Sequence, residues 1–215
     1  MKSAACLLVA VVCSGAFADD TELRDCKMWG RTANVHLSWQ PTDTIKLPAV
    51  VTIPPGAPVA AGPMMSKMAR IEVRPFTDTR KNPQRIGENL EGTHLGCIYP
   101  VTTTDDVAAW TTDRIRYVLG QLGFQVVGSG GDVAISGELR RFFVTEDSVY
   151  HGELGMRIDV TKVGAAVWSG VVSGNNTRFG RSYKIVNYQE TLSDSIVDAV
   201  GHLVADSDFV RAVSP

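Results

Sequence analysis

The stretch of sequence that decides the fold reads ELGMRIDVT at positions 153–161. Apolar residues occupy every even position from 154 to 160, and the odd positions hold charged residues, a threonine or a glycine. An alternation of period two over eight positions is typical of a β-strand that is buried on one face only. This strand therefore predicts a sheet with one face packed and one face in water.

Two further strand patterns flank this stretch. Apolar residues share one parity from Val133 to Phe143, and a third strand is predicted from about Ala166 to Phe179. The tight turn at Gly164-Ala165 joins the last two strands, while Glu146 and Asp147 are expected to form a solvated hairpin turn before the second one. Together these patterns predict an antiparallel meander of three strands.

Two amphipathic helices complete the predicted domain. Thr103-Thr104-Asp105-Asp106 provides N-cap residues for a helix that Gly123 would end, and a second apolar stripe runs over 188–205. Short strands are predicted at 67–76 and 124–127. We therefore expect residues 69–215 to form an α+β two-layer sandwich, with a mostly antiparallel sheet of four to five strands and both helices on one face.

The first eighteen residues have the layout of a secretory signal peptide. A positive start at Lys2 precedes an apolar run at 4–12, and Ala16-Phe17-Ala18 forms the small-residue cleavage pattern. That run is too short to span a bilayer, which takes about 20 residues. We expect cleavage after Ala18 and release into the periplasm. Lipid attachment at Cys13 is disfavoured because the large Val12 precedes it.

Residues 19–68 differ in composition from the rest of the chain. Six prolines fall between positions 41 and 63, and proline removes backbone donors and favours an extended chain. The segment is predicted to be an extended arm that lies over the domain, with an edge strand compatible with 45–53 and a linker after it.

Cys26 and Cys97 are the two cysteines that remain after cleavage. An even pair in an exported chain favours a disulfide, and the alternative is two free buried thiols. A bridge would pin the beginning of the arm to the domain.

Composition excludes several classes of function. A formal net charge of −2 gives no reason to expect nucleic acid as a partner, and no later apolar stretch reaches transmembrane length. His94 and Cys97 lie near Asp105 and Asp106, but this set offers too few clustered ligands for a zinc site. No nucleophile elbow of the Gly-x-Ser-x-Gly type occurs. We therefore predict no cofactor, no metal and no catalytic residues.

The segment 77–100 is polar, shows no sustained period and contains three glycines. A loop of this length inside a compact domain is unusual unless it has a role, and binding residues often lie on loops carried by a rigid scaffold. The candidate binding loop presents five charged or titratable side chains, namely Asp78, Arg80, Arg85, Glu88 and His94. The alternative is an ordered loop that Cys97 ties down.

Two motifs carry a resemblance to a known family. The stretch IEVRPFTDTR at 71–80, followed by Ile86-Gly87, resembles the first strand of the YajG-type family of bacterial lipoproteins, and LGQLGF at 119–124 is similar to its helix exit. The architecture also resembles lipopolysaccharide-assembly lipoproteins and penicillin-binding-protein activators. The resemblance covers about residues 68–213 and implies a non-enzymatic envelope protein without catalytic residues to carry over.

The sequence thus predicts a periplasmic accessory or binding protein that assists an envelope assembly or transport complex. Its partner would be an envelope protein, an anionic glycolipid or peptidoglycan. Two alternatives stay open at this point, a periplasmic hydrolase whose site is assembled from distant residues and a purely structural envelope scaffold. The sequence indicates no oligomeric state.

Overall fold

The computed structural model describes residues 23–27, 32–42 and 69–214. The predicted signal peptide lies outside these residues, as do most of the proline-rich arm and the edge strand proposed at 45–53. These residues form ten strands and three helices, which are labelled β1 to β10 and α1 to α3 in chain order.

The strands are short before the first helix and long after it. Their bounds are β1 Arg24–Asp25, β2 Ala33–Asn34, β3 Ile71–Val73, β4 Thr77–Asp78, β5 Arg85–Asn89, β6 Cys97–Thr102, β7 Val126–Val127, β8 Val133–Glu146, β9 Tyr150–Lys162 and β10 Ala165–Arg178. The helices are α1 Val107–Gln121, α2 Ile185–Ala205 and α3 Ser207–Ala212, and a 3-10 turn spans Thr93–Leu95.

The predicted meander is confirmed. Strand β9 pairs antiparallel with β8 on one side and with β10 on the other, over nearly its whole length. Its even positions from 150 to 160 are buried, whereas the odd positions lie on the open face of the sheet. The alternation of apolar and polar residues along β9 therefore decides which side chains face the core and which face the open side of the sheet.

The rest of the sheet is larger and more mixed than predicted. The second edge of β8 is occupied in turn by β3, β4 and β5, all of them parallel to β8. Beyond them, β6 pairs antiparallel with β5 and parallel with β1 and β2, while β7 pairs with β3. The described residues thus form a ten-stranded mixed sheet. The predicted number of strands, four to five, was too low, and the parallel pairs were not predicted.

The prediction of a long loop at 77–100 was also wrong, because this segment contains strands of the sheet. Two strands, the 3-10 turn and the beginning of β6 occupy most of this segment. Strands of two to six residues are too short to show a period, and their pairing with β8 and β6 comes from residues far away in sequence. Gly87 lies so close to the Val144 carbonyl that a side chain would meet it at 2.5 Å.

Both main helices were predicted correctly in type. Asp106 caps α1 by accepting a hydrogen bond from the Ala109 amide at 2.9 Å, and Gly123 follows its end with a positive φ of 88°. Helix α2 begins three residues earlier than expected and packs on β8, β9 and β10, whereas α1 contacts α2, β4 and β7. Residues beyond 205 form the short helix α3 rather than a simple tail.

The prediction that Glu146 is a solvated turn residue was wrong. Its side chain is buried and accepts hydrogen bonds from the Tyr183 amide at 2.7 Å and from the Tyr188 hydroxyl. Burial and the neighbouring carboxylate raise the pKa of Tyr188 well above the ordinary value of a tyrosine. This pair holds the turn before α2 against the end of β8.

The described parts of the arm are held to the domain by strand pairing, by a disulfide and by contacts with the helices. The Cys26–Cys97 disulfide is present, so the predicted bridge joins the residue after β1 to the beginning of β6. Farther along, Trp39 packs edge-on against Trp110 on α1, with ring centroids 6.2 Å apart. The Thr42 amide then donates to the buried Asp194 carboxylate on α2 at 2.7 Å. The arm is therefore joined to the sheet through β1, Cys26 and β2, and it contacts both main helices farther along.

Candidate functional site: a basic cleft beside strand β8

Asp78 and Arg80, two of the predicted binding residues, form an ion pair at the edge of β8. The Arg80 Nη2–Asp78 Oδ2 distance is 2.6 Å, and only 7% of the Arg80 side chain is exposed. The same guanidinium donates to the Pro83 carbonyl at 2.7 Å and to the Phe142 carbonyl at 3.3 Å. Most of its donors are therefore already used within the protein. We interpret Arg80 as a structural support for the cleft described below rather than as a residue that contacts a ligand.

The Asp78 carboxylate responds to two opposing effects. Partial burial raises its pKa, but the hydrogen bonds and the positive charge of Arg80 outweigh this effect, so the pKa of Asp78 lies below its ordinary value. The pair is thus charged on both sides at neutral pH.

Arg85 and Glu88 lie on β5 and belong to a second ion-paired group. Arg85 Nη2 lies 3.0 Å from Glu88 Oε2, and Arg85 Nη1 lies 2.9 Å from Asp25 Oδ2 on β1. Asp25 precedes the disulfide cysteine of the arm. The arm therefore supplies a carboxylate to an arginine that the sequence placed in the binding segment.

The fifth predicted residue, His94, lies elsewhere. It is exposed on the 3-10 turn and does not line the cleft that contains Arg80 and Arg85. The structure therefore brings four of the five predicted residues into one region and leaves His94 outside it.

A cleft of about 280 Å³ opens where the segment after β4 meets the middle of β8. Five of its eight lining residues are basic, and two are aromatic. The lining consists of Arg80, Lys81, Asn82, Arg85, Arg140, Arg141, Phe142 and Phe143. Each of the four arginines is ion-paired with a carboxylate outside the lining, and the ammonium of Lys81 has no such pair within the described residues. The carboxylates are those of Asp25, Asp78, Glu88, Glu138 and Glu153.

Arg140 and Arg141 were missed by the sequence reasoning. A regular strand would place neighbouring residues on opposite faces, but a β-bulge lies between Leu139 and Arg141 in the pairing with β9. Both arginines are consequently exposed, although Leu139 and Phe142 on either side are buried. Two adjacent basic residues within an apolar strand were the signal in the sequence that pointed to this bulge.

Several donors in the cleft remain free. Arg140 uses Nε and Nη2 for Glu138, and Arg141 uses Nε for Glu153 at 2.6 Å. Within the described ranges, neither Nη group of Arg141 forms a hydrogen bond, and the Lys81 ammonium forms none either. The Arg141 guanidinium lies 4.3 Å from the centre of the Phe143 ring, which orients it.

This arrangement can bind an anion. A guanidinium with two free Nη groups matches the geometry of a phosphate or carboxylate, and a nearby ammonium adds a point charge. The phenyl ring of Phe143, half-buried beside them, offers apolar surface to a lipid or sugar that carries such an anion.

The histidines do not converge on one another. His36 lies 3.4 Å from Asp105, and His202 lies 3.7 Å from Asp198, each with a mostly exposed side chain. Among the described residues, no three potential metal ligands are grouped in a way that could hold an ion.

One arrangement on the open face of the sheet resembles a catalytic triad in its connections. His151 Nδ1 lies 3.1 Å from the Thr177 hydroxyl, and His151 Nε2 lies 3.6 Å from Asp147. The side chains of His151 and Asp147 are 44% and 55% exposed. Water reaches these groups freely, and their exposure provides no walls to hold a substrate, so we do not interpret them as a catalytic centre.

No helix within 23–27, 32–42 and 69–214 is long and apolar enough to cross a membrane. No protein-family model matches the chain, and no curated protein matches it.

Solved structures do resemble the fold. Protein XCC0632 from Xanthomonas campestris, of family model DUF330, has a TM-score of 0.48 at 11% identity, covering 63% of this chain and 81% of that one. The PelC dodecamer from Paraburkholderia phytofirmans has a TM-score of 0.39 at 14% identity, covering 66% and 92%. Lipoprotein GNA1162 from Neisseria meningitidis has a TM-score of 0.29 at 15% identity, covering 65% and 99%.

One of these three structures is thus named a lipoprotein, and none of the three bears the YajG name. Likenesses of this degree say nothing about what the chain binds.

Proposed function

We propose that this chain is a non-enzymatic accessory protein of the cell envelope, exported by its signal peptide, which binds an anionic group of an envelope component through the basic cleft. The observation that carries the proposal is the set of free donors on Lys81 and Arg141 inside a cleft lined by five basic residues. A phosphorylated glycolipid or a carboxylate of peptidoglycan has the required chemistry.

The mature protein is proposed to begin at Asp19 and to be soluble in the periplasm. The intact mass of the protein recovered from the periplasmic fraction tests this point. A mass that starts at Asp19 supports it, whereas a membrane-bound form with a lipid mass on Cys13 that disappears in Cys13→Ser would contradict it.

The cleft is tested by a double variant, Lys81→Ala with Arg141→Gln. Binding is measured by co-sedimentation with phosphatidylglycerol vesicles and with lipopolysaccharide, and by calorimetry with soluble muropeptides. Two lost charge-assisted contacts should weaken binding of the recognised probe by about tenfold or more, and added salt should weaken the wild type as well.

The matched control is Arg157→Gln. Arg157 also lies on the open face of the sheet, is 46% exposed and pairs with a carboxylate, Asp159, but it lies outside the cleft. Equal losses in the control and the double variant, or no binding to any of the three probes, would refute the proposal and leave the structural scaffold as the better interpretation.

A further inference from the structure

Strand β10 has one edge without a strand partner. It is 14 residues long and pairs with β9 on one side. Among the described residues, no strand pairs with its other side. An open edge exposes backbone N–H and C=O groups that can pair with another chain.

Part of this edge is closed by α2. The Asn175 amide donates to Asp198 Oδ2 at 2.8 Å, and His202 Nδ1 donates to the Ser173 carbonyl at 2.9 Å. These two side chains occupy backbone groups that an incoming strand would need. The end of β10 nearest Arg178 is thereby blocked.

The remaining edge is open over a short window. Backbone groups in an antiparallel strand point alternately toward the partner and away from it. The backbone groups of Ser173 and Asn175 point away from β9, so those of Ser169 and Val171 point away from it too. In the part of the chain that the structure describes, the N–H and C=O groups of Ser169 and Val171 have no hydrogen-bond partner. The bulge between Ala166 and Trp168 ends the window on the other side.

The window lines one groove, and a second groove adjoins it at Trp168, next to the bulge. One, of about 450 Å³, is lined by β10 from Trp168 to Ser173, by α2, by Asp208 on α3 and by Asp206 between the two helices. The other, of about 410 Å³, is lined by Lys162, Arg211 and again Asp208. Arg211 forms an ion pair with Asp208 through Nη2, and the Lys162 ammonium donates to the Ser214 carbonyl at 2.9 Å. Within the described residues, the other donors of these two cations form no hydrogen bonds.

We propose that a short extended segment of a partner protein pairs with the outer edge of β10 between the bulge and Ser173. The segment is about five residues long, as the open window dictates. A basic side chain near its middle faces Asp206, and an acidic side chain or a terminal carboxylate faces Lys162 and Arg211. Main-chain hydrogen bonds provide affinity and the charged grooves provide direction, as in other cases of strand addition.

A second copy of this chain fits the edge less well. Antiparallel pairing of two β10 strands around Ser169 would place Val171 of each copy opposite the bulged Val167 of the other, and the blocked Ser173 opposite Ala165 beyond the bulge. The same two obstacles leave room for a short segment. This surface differs from the basic cleft, so the inference does not depend on the proposed function.

The test uses the mature protein and a phage-displayed library of random linear dodecapeptides. Selected peptides should combine apolar residues with one basic and one acidic position, and free peptides should bind with measurable affinity in calorimetry. N-methylation of the central peptide amides should abolish binding, since it removes the main-chain donors. A library without enriched sequences would overturn the proposal.

Two variants locate the site. Val171→Pro removes an outward N–H but keeps the ladder with β9, because proline is tolerated on an outer edge, and it should reduce peptide affinity at least tenfold. The matched control, Val171→Thr, keeps the amide at the same 73% exposed position and should bind normally. Unchanged binding by Val171→Pro would overturn the proposal.

If Val171→Pro fails to fold by circular dichroism, Arg211→Glu serves instead. Arg211 is 77% exposed, and the reversal should weaken the acidic-ended peptides at least tenfold while favouring basic-ended ones. An unchanged peptide preference would refute the proposed charge pairing. Concentration-dependent dimerisation that Val171→Pro abolishes would assign the edge to a second copy and overturn the proposal as well.

Discussion

Arg80 shows how a charged side chain can stabilise a site without binding the ligand. Its guanidinium is nearly buried and joins Asp78 to the carbonyl groups of Pro83 and Phe142. Removing one member of such a group leaves the others with unsatisfied polar atoms, which costs more than the bond itself contributes.

Arg80→Met should lower the free energy of unfolding by about 1–3 kcal/mol at pH 7. Asp78 has a depressed pKa in the folded state, so its contribution is present above the ordinary pKa of an aspartate, about 3.9, and is lost as the pH falls through the folded value. The gap between wild type and variant should therefore shrink below about pH 4. Urea denaturation from pH 3 to 7 measures it.

Arg157→Met is the control for this prediction, because its exposed pair with Asp159 contributes little. A gap for Arg80→Met that does not change with pH would show that Asp78 is not the group through which Arg80 acts.

Single residues were the hardest features to predict from the sequence. The sequence places Arg80 in the candidate binding segment, but no local pattern indicates that the carbonyl group of the distant Phe142 approaches its guanidinium. Arg140 and Arg141 were missed because a bulge set by the partner strand decides that both are exposed.

Between elements, the packing of α2 on β10 depends on glycine. A Cβ at Gly174 would collide with the Ser195 carbonyl and lie 2.5 Å from the Ala199 amide, both backbone atoms of α2. Gly201, by contrast, lies in α2 with nothing within 4 Å of where its Cβ would be. The packing of α2 on β10 thus requires a glycine at position 174 and places no such requirement on position 201.

Gly174→Ala should destabilise the protein by about 3 kcal/mol, the upper end for overpacking, because backbone atoms cannot move aside. Gly201→Ala should stabilise it by up to about 1 kcal/mol through helix propensity. Thermal and urea unfolding of both variants measure the difference. Similar effects of the two substitutions would contradict the close packing of α2 on β10.

Elements were predictable where a local period exists. The meander and both main helices show one, since β9 alternates and α2 carries a continuous apolar stripe. The strand at β3 was also predicted. Strands β4 and β5 and the beginning of β6 are short and pair with distant residues, so the segment 77–100 that contains them was predicted to be a loop.

For the molecule as a whole, the arm and the disulfide add constraints to a sheet whose own core is continuous. The cysteines are 71 residues apart in sequence. A bridge over such a loop contributes about 4 kcal/mol by the chain-entropy model. The arm also covers Trp110 with Trp39.

Cys26→Ser with Cys97→Ser should therefore lower the stability by up to about 4 kcal/mol and leave the fold intact. The wild type should gain two mass units on reduction, and the variant should gain none. Denaturation with and without reductant checks the energy. A wild type whose mass and stability do not respond to reductant would contradict the bridge in solution.

The contact between Asp25 and Arg85 gives the disulfide a role beyond stability. Asp25 is held next to Arg85 by the pairing of β1 with β6 and by the bridge at the following residue, so we expect reduction to loosen this carboxylate. Arg85 would keep its pair with Glu88, and its Nη1 group would become available to an anion in the cleft. The two equilibria are linked. If reduction of the disulfide raises the affinity for an anion by some factor, the bound anion must raise the equilibrium constant for reduction by the same factor. Anion binding in the cleft and reduction of the Cys26–Cys97 bridge would thus be coupled through the first strand of the arm.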